Sequence, residues 1–539
     1  MQYLDTPWAL LHTSQPAASG HPVLAVADGS SPLLRDGKVR LPVHTPQVSG
    51  QPAIFDLPYA VRSDTVSSLV ESGDATLSFL LSGQIPFPDQ RLLRQFDHHQ
   101  SLDALRPTQQ RQLVLYNFID AMVGIMEELR WEAELDAQDA DDWFTTPRPT
   151  LAPIPWPQLA KVLEEPVHEL RMDLICKIAS QFDTVLFKLA ANPHKILHRH
   201  RTRQHLSKVQ QLDSACLAWL TRQPGLSPIE KAGARQQIMA VARTEGYDTL
   251  ENRVLKDVLS RCQRSARLYL HQNQAYADKS RYRMVQQFDR RCRKALRSSV
   301  FKSIHALTTV PQPNYVLQHD KAYHELWHWY LRLVKRETAT LEAWRWQHRL
   351  WADMVRLIAC SCIHGDGDWS SPLEQFVWLR EGPESGNWIA GLESPGPVIR
   401  GARVIETFYP AIMEPAPWFG LPLATWAAAA GCDLVILESK LNGGPDRVTF
   451  VWAIHDAHSK IDRAALQVLA DDADAALDRL GSDIVATEGF IVVNDCHSEV
   501  SGVSDIRSRS GRTRAVQVAG HPGQWLRDLA ALTREQLIS

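Results

Sequence analysis

Apolar and polar positions change rhythm three times along the chain. Up to about residue 100, short apolar runs such as "PVLAVAD", "KVRLPV", "PAIFDLPYAV" and "ATLSFLLSG" are split by Pro, Gly and Ser, which predicts a small β-rich unit. A helical pattern follows from roughly Thr108 to Leu135, with Leu113, Leu115, Phe118, Met122, Ile125 and Leu129 recurring at helical spacing. The stretch "DAQDADDWFTTPRPTLAPIPWP" is acidic and then proline-rich, and reads as a linker. From about 157 to 335 the pattern is helical, and a further long helical stretch covers about 321 to 362. After 370 come strand-like runs at 402–410, 432–439, 447–456 and 489–496, with the helical "RAALQVLADDADAALDRLG" between the last two.

These rhythms predict an α/β (multidomain α+β) protein: a β-rich domain over 1–150, a helical domain over 151–335 and an α/β core over 336–539. In "DTLENRVLKDVLSRCQRSARLYL", Leu255, Val258, Leu259, Cys262, Ala266 and Tyr269 share one helical face, while Arg253, Lys256, Arg264 and Arg267 share another. One helix can therefore pack inward and present cations outward.

Composition narrows the classes. At 539 residues, 44% hydrophobic and 22% charged, the chain reads as globular and soluble. No run of about 20 apolar residues predicts a membrane span, and "MQYLDTPWALLH" lacks the basic and apolar regions of a secretory signal. Eight scattered cysteines read as reduced thiols of a cytoplasmic protein. Cys360-Ser-Cys362-Ile-His364 has no second ligand pair at zinc-site spacing. The net charge of -3 conceals a strong asymmetry: Arg253 to Lys302 holds fourteen Lys/Arg against three Asp. Such one-sidedness points to phosphate, and the segment, including Arg290, Arg291 and Arg293, is a candidate DNA-binding surface. "HKILHRHRTRQHL" (194–206) is a second cationic patch, readable as a solvated loop or a DNA contact.

Candidate chemistry lies in "CDLVIL" and "VWAIHDAHSKID". The order helix, strand, "CDLVIL", strand ending "HDAHSK", helix, strand resembles the core of the McrC-like PD-(D/E)XK nucleases of bacterial defence systems. "YDTLENRVLKDVL" is similar to a motif in an uncharacterised helical domain that precedes such nucleases; Asp248, Thr249, Glu251, Asn252, Arg253 and Lys256 match it. The resemblance covers roughly 157 to 510 and none of the first 150 residues.

The resemblance implies a Mg²⁺- or Mn²⁺-dependent deoxyribonuclease of a restriction or anti-phage system. Asp433 and Asp456 would hold the metal, and His458 or Lys460 would stand where the family has lysine. Glu342 would be the acid from the preceding helix, with Asp353 its competitor. A strand places i and i+2 on one face, as in Asp456, His458 and Lys460. Glu438-Ser439-Lys440 is a rival acid-x-lysine set, but in a regular strand Glu438 faces away from Asp433, five residues earlier. The third reading is that no catalytic site exists, and the histidine at 458 favours a catalytically inactive, DNA-binding scaffold subunit. The chain has no Gly-x4-Gly-Lys-Ser/Thr phosphate loop, so an AAA+ or other NTPase motor would be a separate partner. A protein-binding adaptor, with the basic segment against an acidic partner, is the remaining alternative. Asp248, Thr249 and Glu251 also fit a helix N-terminus, with Asn252 and Arg253 as structural hydrogen-bonders.

Overall fold

The computed structural model describes 2–4, 21–26, 31–34, 39–45, 48, 52–59, 67–72, 75–80, 85–89, 92–93, 105–135, 151–164, 170, 172–365, 376–390, 395–414, 417–456, 461–480, 485–496, 502–520 and 522–538. The fold is mixed α/β and divides into two compact units, Met1–Asp173 with Arg336–Ser539, and Leu174–Lys335.

The first unit begins with short strands. β1 (Gln2–Leu4), β2 (His21–Val26), β5 (Val43–Thr45) and β6 (Ala53–Asp56) form one sheet, and β3 (Leu33–Leu34), β4 (Val39–Arg40), β7 (Ser67–Ser72) and β8 (Ala75–Leu80) form another. Next come α1 (Pro107–Leu135), β9 (Leu151–Pro155) and α2 (Trp156–Glu164). In the second unit follow β10 (Ile196–His205), α3 (Ser214–Thr221), β11 (Gln237–Gly246), α4 (Leu250–Gln272) and α5 (Ser280–Leu296). α6 (Lys321–Arg345) precedes α7 (Gln347–His364). The first unit is completed by β12 (Phe376–Glu384), β13 (Asn387–Ile389), β14 (Val398–Arg400), β15 (Arg403–Phe408), α8 (Leu423–Ala430), β16 (Leu434–Lys440), β17 (Pro445–Asp456), α9 (Arg463–Arg479), β18 (Ala486–Asp495), β19 (Gly502–Arg507), β20 (Thr513–Ala519) and α10 (Pro522–Ile538).

The main sheet has the order β14-β15-β16-β17-β18-β20-β19. Neighbours from β14 to β17 are antiparallel; β17, β18 and β20 run parallel. The parallel step β17 to β18 needs a crossover, and α9 supplies it. Every residue of α7 is buried. An all-round buried helix belongs in a core: Trp351, Met354, Leu357 and Ile358 join Leu434, Val451, Phe490 and Val516 of the sheet, together with Phe118, Met122 and Leu129 of α1. The apolar stripe of α1 is thus spent on this same core, so residues before 150 and after 336 share one interior.

The second unit departs from the expected all-helical pattern. β10 and β11 pair antiparallel from Ile196↔Gly246 to His205↔Gln237, so the cationic 194–206 stretch is mostly strand. Arg and His at consecutive positions mask the two-residue alternation that would have revealed it. α4 and α5 bury apolar stripes, among them Val254, Leu255, Val258 and Cys262 on α4 and Val285, Phe288 and Cys292 on α5.

Candidate functional site

α8 ends on Gly431 in the left-handed conformation (φ 60°), its N–H bonded to Ala427 O; glycine adopts this geometry without the strain a Cβ brings. Two residues later Asp433 enters the sheet, its N–H donating to Val451 O at 2.8 Å. The Asp433 side chain is buried. Its Oδ2 accepts from the Ala453 N–H at 2.8 Å, and its Oδ1 lies 3.4 Å from Arg356 Nη2.

Arg356 is the residue that sequence reasoning missed. It sits on α7, its Nε donating to Asp433 O at 2.9 Å and its Nη1 to Asp353 Oδ1 at 3.0 Å. Asp353 is fully buried, and its Oδ2 accepts from the N–H groups of Trp388 and Ile389 at 2.7 and 3.2 Å. A guanidinium therefore bridges a helix carboxylate and the first strand carboxylate. Burial works against the Arg356 charge, but Asp433 and Asp353 outweigh it and hold its pKa above the ordinary arginine value. The available signal was Asp353-x-x-Arg356, an i,i+3 ion pair in an otherwise apolar helix.

The register also separates the expected metal acids. Leu434 pairs with Val451, so Asp433 stands beside Val451 and Ala453. Asp456 ends β17 farther along, about 10–13 Å away at the strand rise. Asp456 is instead the register partner of Asp495 on parallel β18. Asp495 is buried and accepts from Gln517 Nε2 at 3.0 Å. Near this edge His455 Nε2 contacts Gln347 Oε1 at 2.8 Å, and His455 Nδ1 contacts Asn494 Nδ2 at 2.9 Å. The amide of Asn494 donates, so Nδ1 accepts and Nε2 carries the proton toward Gln347. His458 and Lys460 lie outside the described residues.

Glu342 closes the junction of α6 and α7: its Oε1 accepts from Trp346 Nε1 at 3.0 Å, and its Oε2 is 3.5 Å from Arg345 Nη1. The rival Glu438 is held by Arg447 at 2.6 Å and Arg403 at 3.2 Å, while Lys440 is 3.2 Å from Asp446. Among the described residues no group of three or more His, Cys, Asp or Glu side chains could hold a metal ion, and no helix is long and apolar enough to cross a membrane.

In the second unit the motif residues form a structural knot. Asp248 receives two bonds from Arg253, at 2.8 and 2.7 Å, and one from the His305 N–H at 3.0 Å; Arg253 above all holds its carboxyl well below the usual carboxylate range. Glu251 contacts His194 Nδ1 and accepts from Asn314 at 2.9 Å. Buried Asn252 donates to His194 O at 2.6 Å and Tyr247 O at 2.8 Å, and accepts from the Tyr323 hydroxyl at 3.2 Å. Lys256 donates to Ile304 O at 2.5 Å.

Nine of the fourteen cations of 253–302 fall into two sets. Arg253 and Lys256 are in the knot, Arg267 and Arg293 meet buried Asp289, and Arg291 pairs with Asp183 across Phe187. Arg264 is half-buried on α4. By contrast Arg283, Arg290, Lys294 and Arg297 are exposed and, among the described residues, carry no ion pair. Their spacing of seven, eleven and fourteen residues from Arg283 places them on one helical face of α5 and its C-cap residue, Arg297.

Residues 162–330 match the family model described as Domain of unknown function (DUF2357). No curated protein matches the chain.

Proposed function

We propose that the chain is a DNA-binding, nuclease-fold subunit of a bacterial anti-phage defence or restriction system, acting in the cytoplasm, and that it holds DNA without cutting it. The observation that carries this reading is Arg356 between Asp353 and Asp433. A hard divalent cation needs converging carboxylate oxygens that are not already neutralised. At this place a permanent cation and the Ala453 N–H occupy the Asp433 oxygens, so Asp433 does not fit Mg²⁺ or Mn²⁺. Helix, antiparallel β15-β16-β17, helix α9 and parallel β18 is the element order of the restriction-endonuclease-like core, which supports the nuclease-fold part. The exposed α5 stripe supports DNA binding through phosphates.

One observation favours a second reading, a Mg²⁺-dependent endonuclease worked by an AAA+ partner. Asp456 and Asp495 are register partners at the carboxyl ends of parallel strands, where α/β sheets commonly place their chemistry. Purified full-length chain with a linear duplex and with plasmid, in Mg²⁺ or Mn²⁺, separates the two. The expected result is salt-sensitive binding and intact DNA. Cleavage that Asp456→Ala abolishes, with binding retained, overturns the scaffold reading in favour of the nuclease; absence of binding overturns both.

A further inference from the structure

We infer that the β10–β11 ribbon is a second duplex-DNA contact, separate from the α5 stripe, with its arginines seated on backbone phosphates. This rests on the DNA-binding reading and names a surface which that reading does not need.

The ribbon pairs residue for residue from Ile196↔Gly246 to His205↔Gln237 with no register shift. It therefore extends about 30 Å at the strand rise. Two-stranded ribbons are marginal in water unless something packs on them. The connection, residues 206–236, does so: α3 packs on β11, with Cys216, Ile238, Ala240 and Val241 buried. The result is a supported arm.

Alternation puts Arg199, Arg201 and Arg203 on one face of β10, and Arg243 opposes Arg199 in register. All four are exposed. Residues 194–246 hold nine Lys/Arg against three Asp/Glu. Charge that only protects the open edges of a ribbon from pairing needs no fixed geometry, yet these heads are positioned. Gln211 Oε1 accepts from Arg199 Nη2 at 3.2 Å and from Arg243 Nη2 at 2.9 Å. Two guanidinium groups thus converge on one neutral oxygen. Like charges gathered this way are costly unless an anion joins them. Arg201 is 2.7 Å from Asp213, and the Arg203 guanidinium lies 5.8 Å from the centre of the Trp219 ring. The forked donors of arginine match phosphate oxygens, and heads on alternate residues recur about every 7 Å along the strand, a spacing that suits successive phosphates of one DNA strand.

The test uses the full-length chain and a labelled 30-base-pair duplex titrated across salt concentrations. One variant carries Arg199→Gln, Arg203→Gln and Arg243→Gln, leaving the Arg201–Asp213 pair intact; far-ultraviolet circular dichroism checks that it is folded. A second carries Arg283→Gln, Arg290→Gln, Lys294→Gln and Arg297→Gln. The ribbon variant is expected to bind about tenfold or more weakly near physiological salt and to lose about 2–3 from the slope of log K against log salt. Wild-type affinity and slope in the folded ribbon variant, with the α5 variant impaired, overturn the ribbon contact and leave the DNA reading standing. Wild-type protein with no salt-dependent binding overturns both. A ribbon variant impaired on single strands but not on duplex overturns the duplex assignment.

Discussion

Arg356 on α7 is buried between Asp353 and Asp433, while Arg283, Arg290 and Lys294 on α5 and Arg297 at its C-cap face solvent with no ion pair among the described residues. The same kind of side chain does two different things. In the first unit arginine ends an electrostatic argument: it neutralises two acids that would otherwise need a metal or protons. In the second it leaves one open, since uncompensated surface cations gain most from an external polyanion. A count of charges cannot separate these cases. The second unit even contains both, because Arg253, Lys256, Arg267, Arg291 and Arg293 are committed internally.

The sharpest way to break the comparison is Arg356→Met. Removing one partner of a buried ionic network leaves carboxylates uncompensated and costs about 3–5 kcal/mol, which urea denaturation of the full chain would read. If Mg²⁺ then stabilises the variant but not the wild type, Asp353 and Asp433 form a latent cation site that the arginine fills. A loss under about 1 kcal/mol would mean that the bridge is as weak as a surface pair.

Asn252→Ala probes the internal side of the second unit. It removes two donated bonds and one accepted bond from a buried position, with an expected cost of about 2–3 kcal/mol. Tyr323, whose hydroxyl burial pushes up to about 12, loses its acceptor. The slope of DNA binding against salt should be unchanged wherever the variant is folded. A slope reduced by about 1 would place the neighbouring Arg253 on phosphate and dissolve the distinction between committed and open cations.

Much of this was legible in the residues. The runs at 402–410, 432–439, 447–456 and 489–496 correspond to β15, β16, β17 and β18, because buried strands announce themselves by continuous apolar residues. The cationic segment was visible as well, and so was the alternative that Asp248 to Arg253 is structural, since a helix start has its own grammar. Partners were not visible. Arg356 reaches Asp433 from 77 positions away, and nothing local marks that meeting. The spacing of Asp433 and Asp456 was open to reading, but their register was not, for it depends on how the Asn442-to-Gly444 turn closes the hairpin. β10 was hidden because its partner β11 follows only after residues 206–236 and its charges break the alternation. The stripe of α1 predicted a buried face without saying that α7 and the main sheet lie on the other side of it.

The smallest effect concerns how the ribbon's connection is held. Asp213 is the N-cap of α3: its Oδ1 accepts from the Cys216 N–H at 2.8 Å, and its Oδ2 is 2.7 Å from Arg201. The Cys216 bond first, and then Arg201, lower its pKa to about 2. A carboxyl depressed on folding contributes stability that is fully present above its unfolded value, near 3.9, and is lost as pH falls through the folded value. Between about pH 4 and pH 2 the amides of α3 should therefore lose protection against hydrogen exchange, after correction for the intrinsic rate. Asp213→Asn keeps an oxygen able to cap the helix but cannot titrate, so its protection should lack this component and, above pH 4, fall slightly below wild type because the Arg201 pairing is gone. If wild type and variant change in parallel over the whole window, the Asp213 carboxylate does not hold the connection. The preset geometry of Arg199 and Arg243 would then rest on Gln211 alone, Arg201 would have no fixed anchor, and the ribbon would be closer to an ordinary solvated surface than to the positioned cations it is compared with.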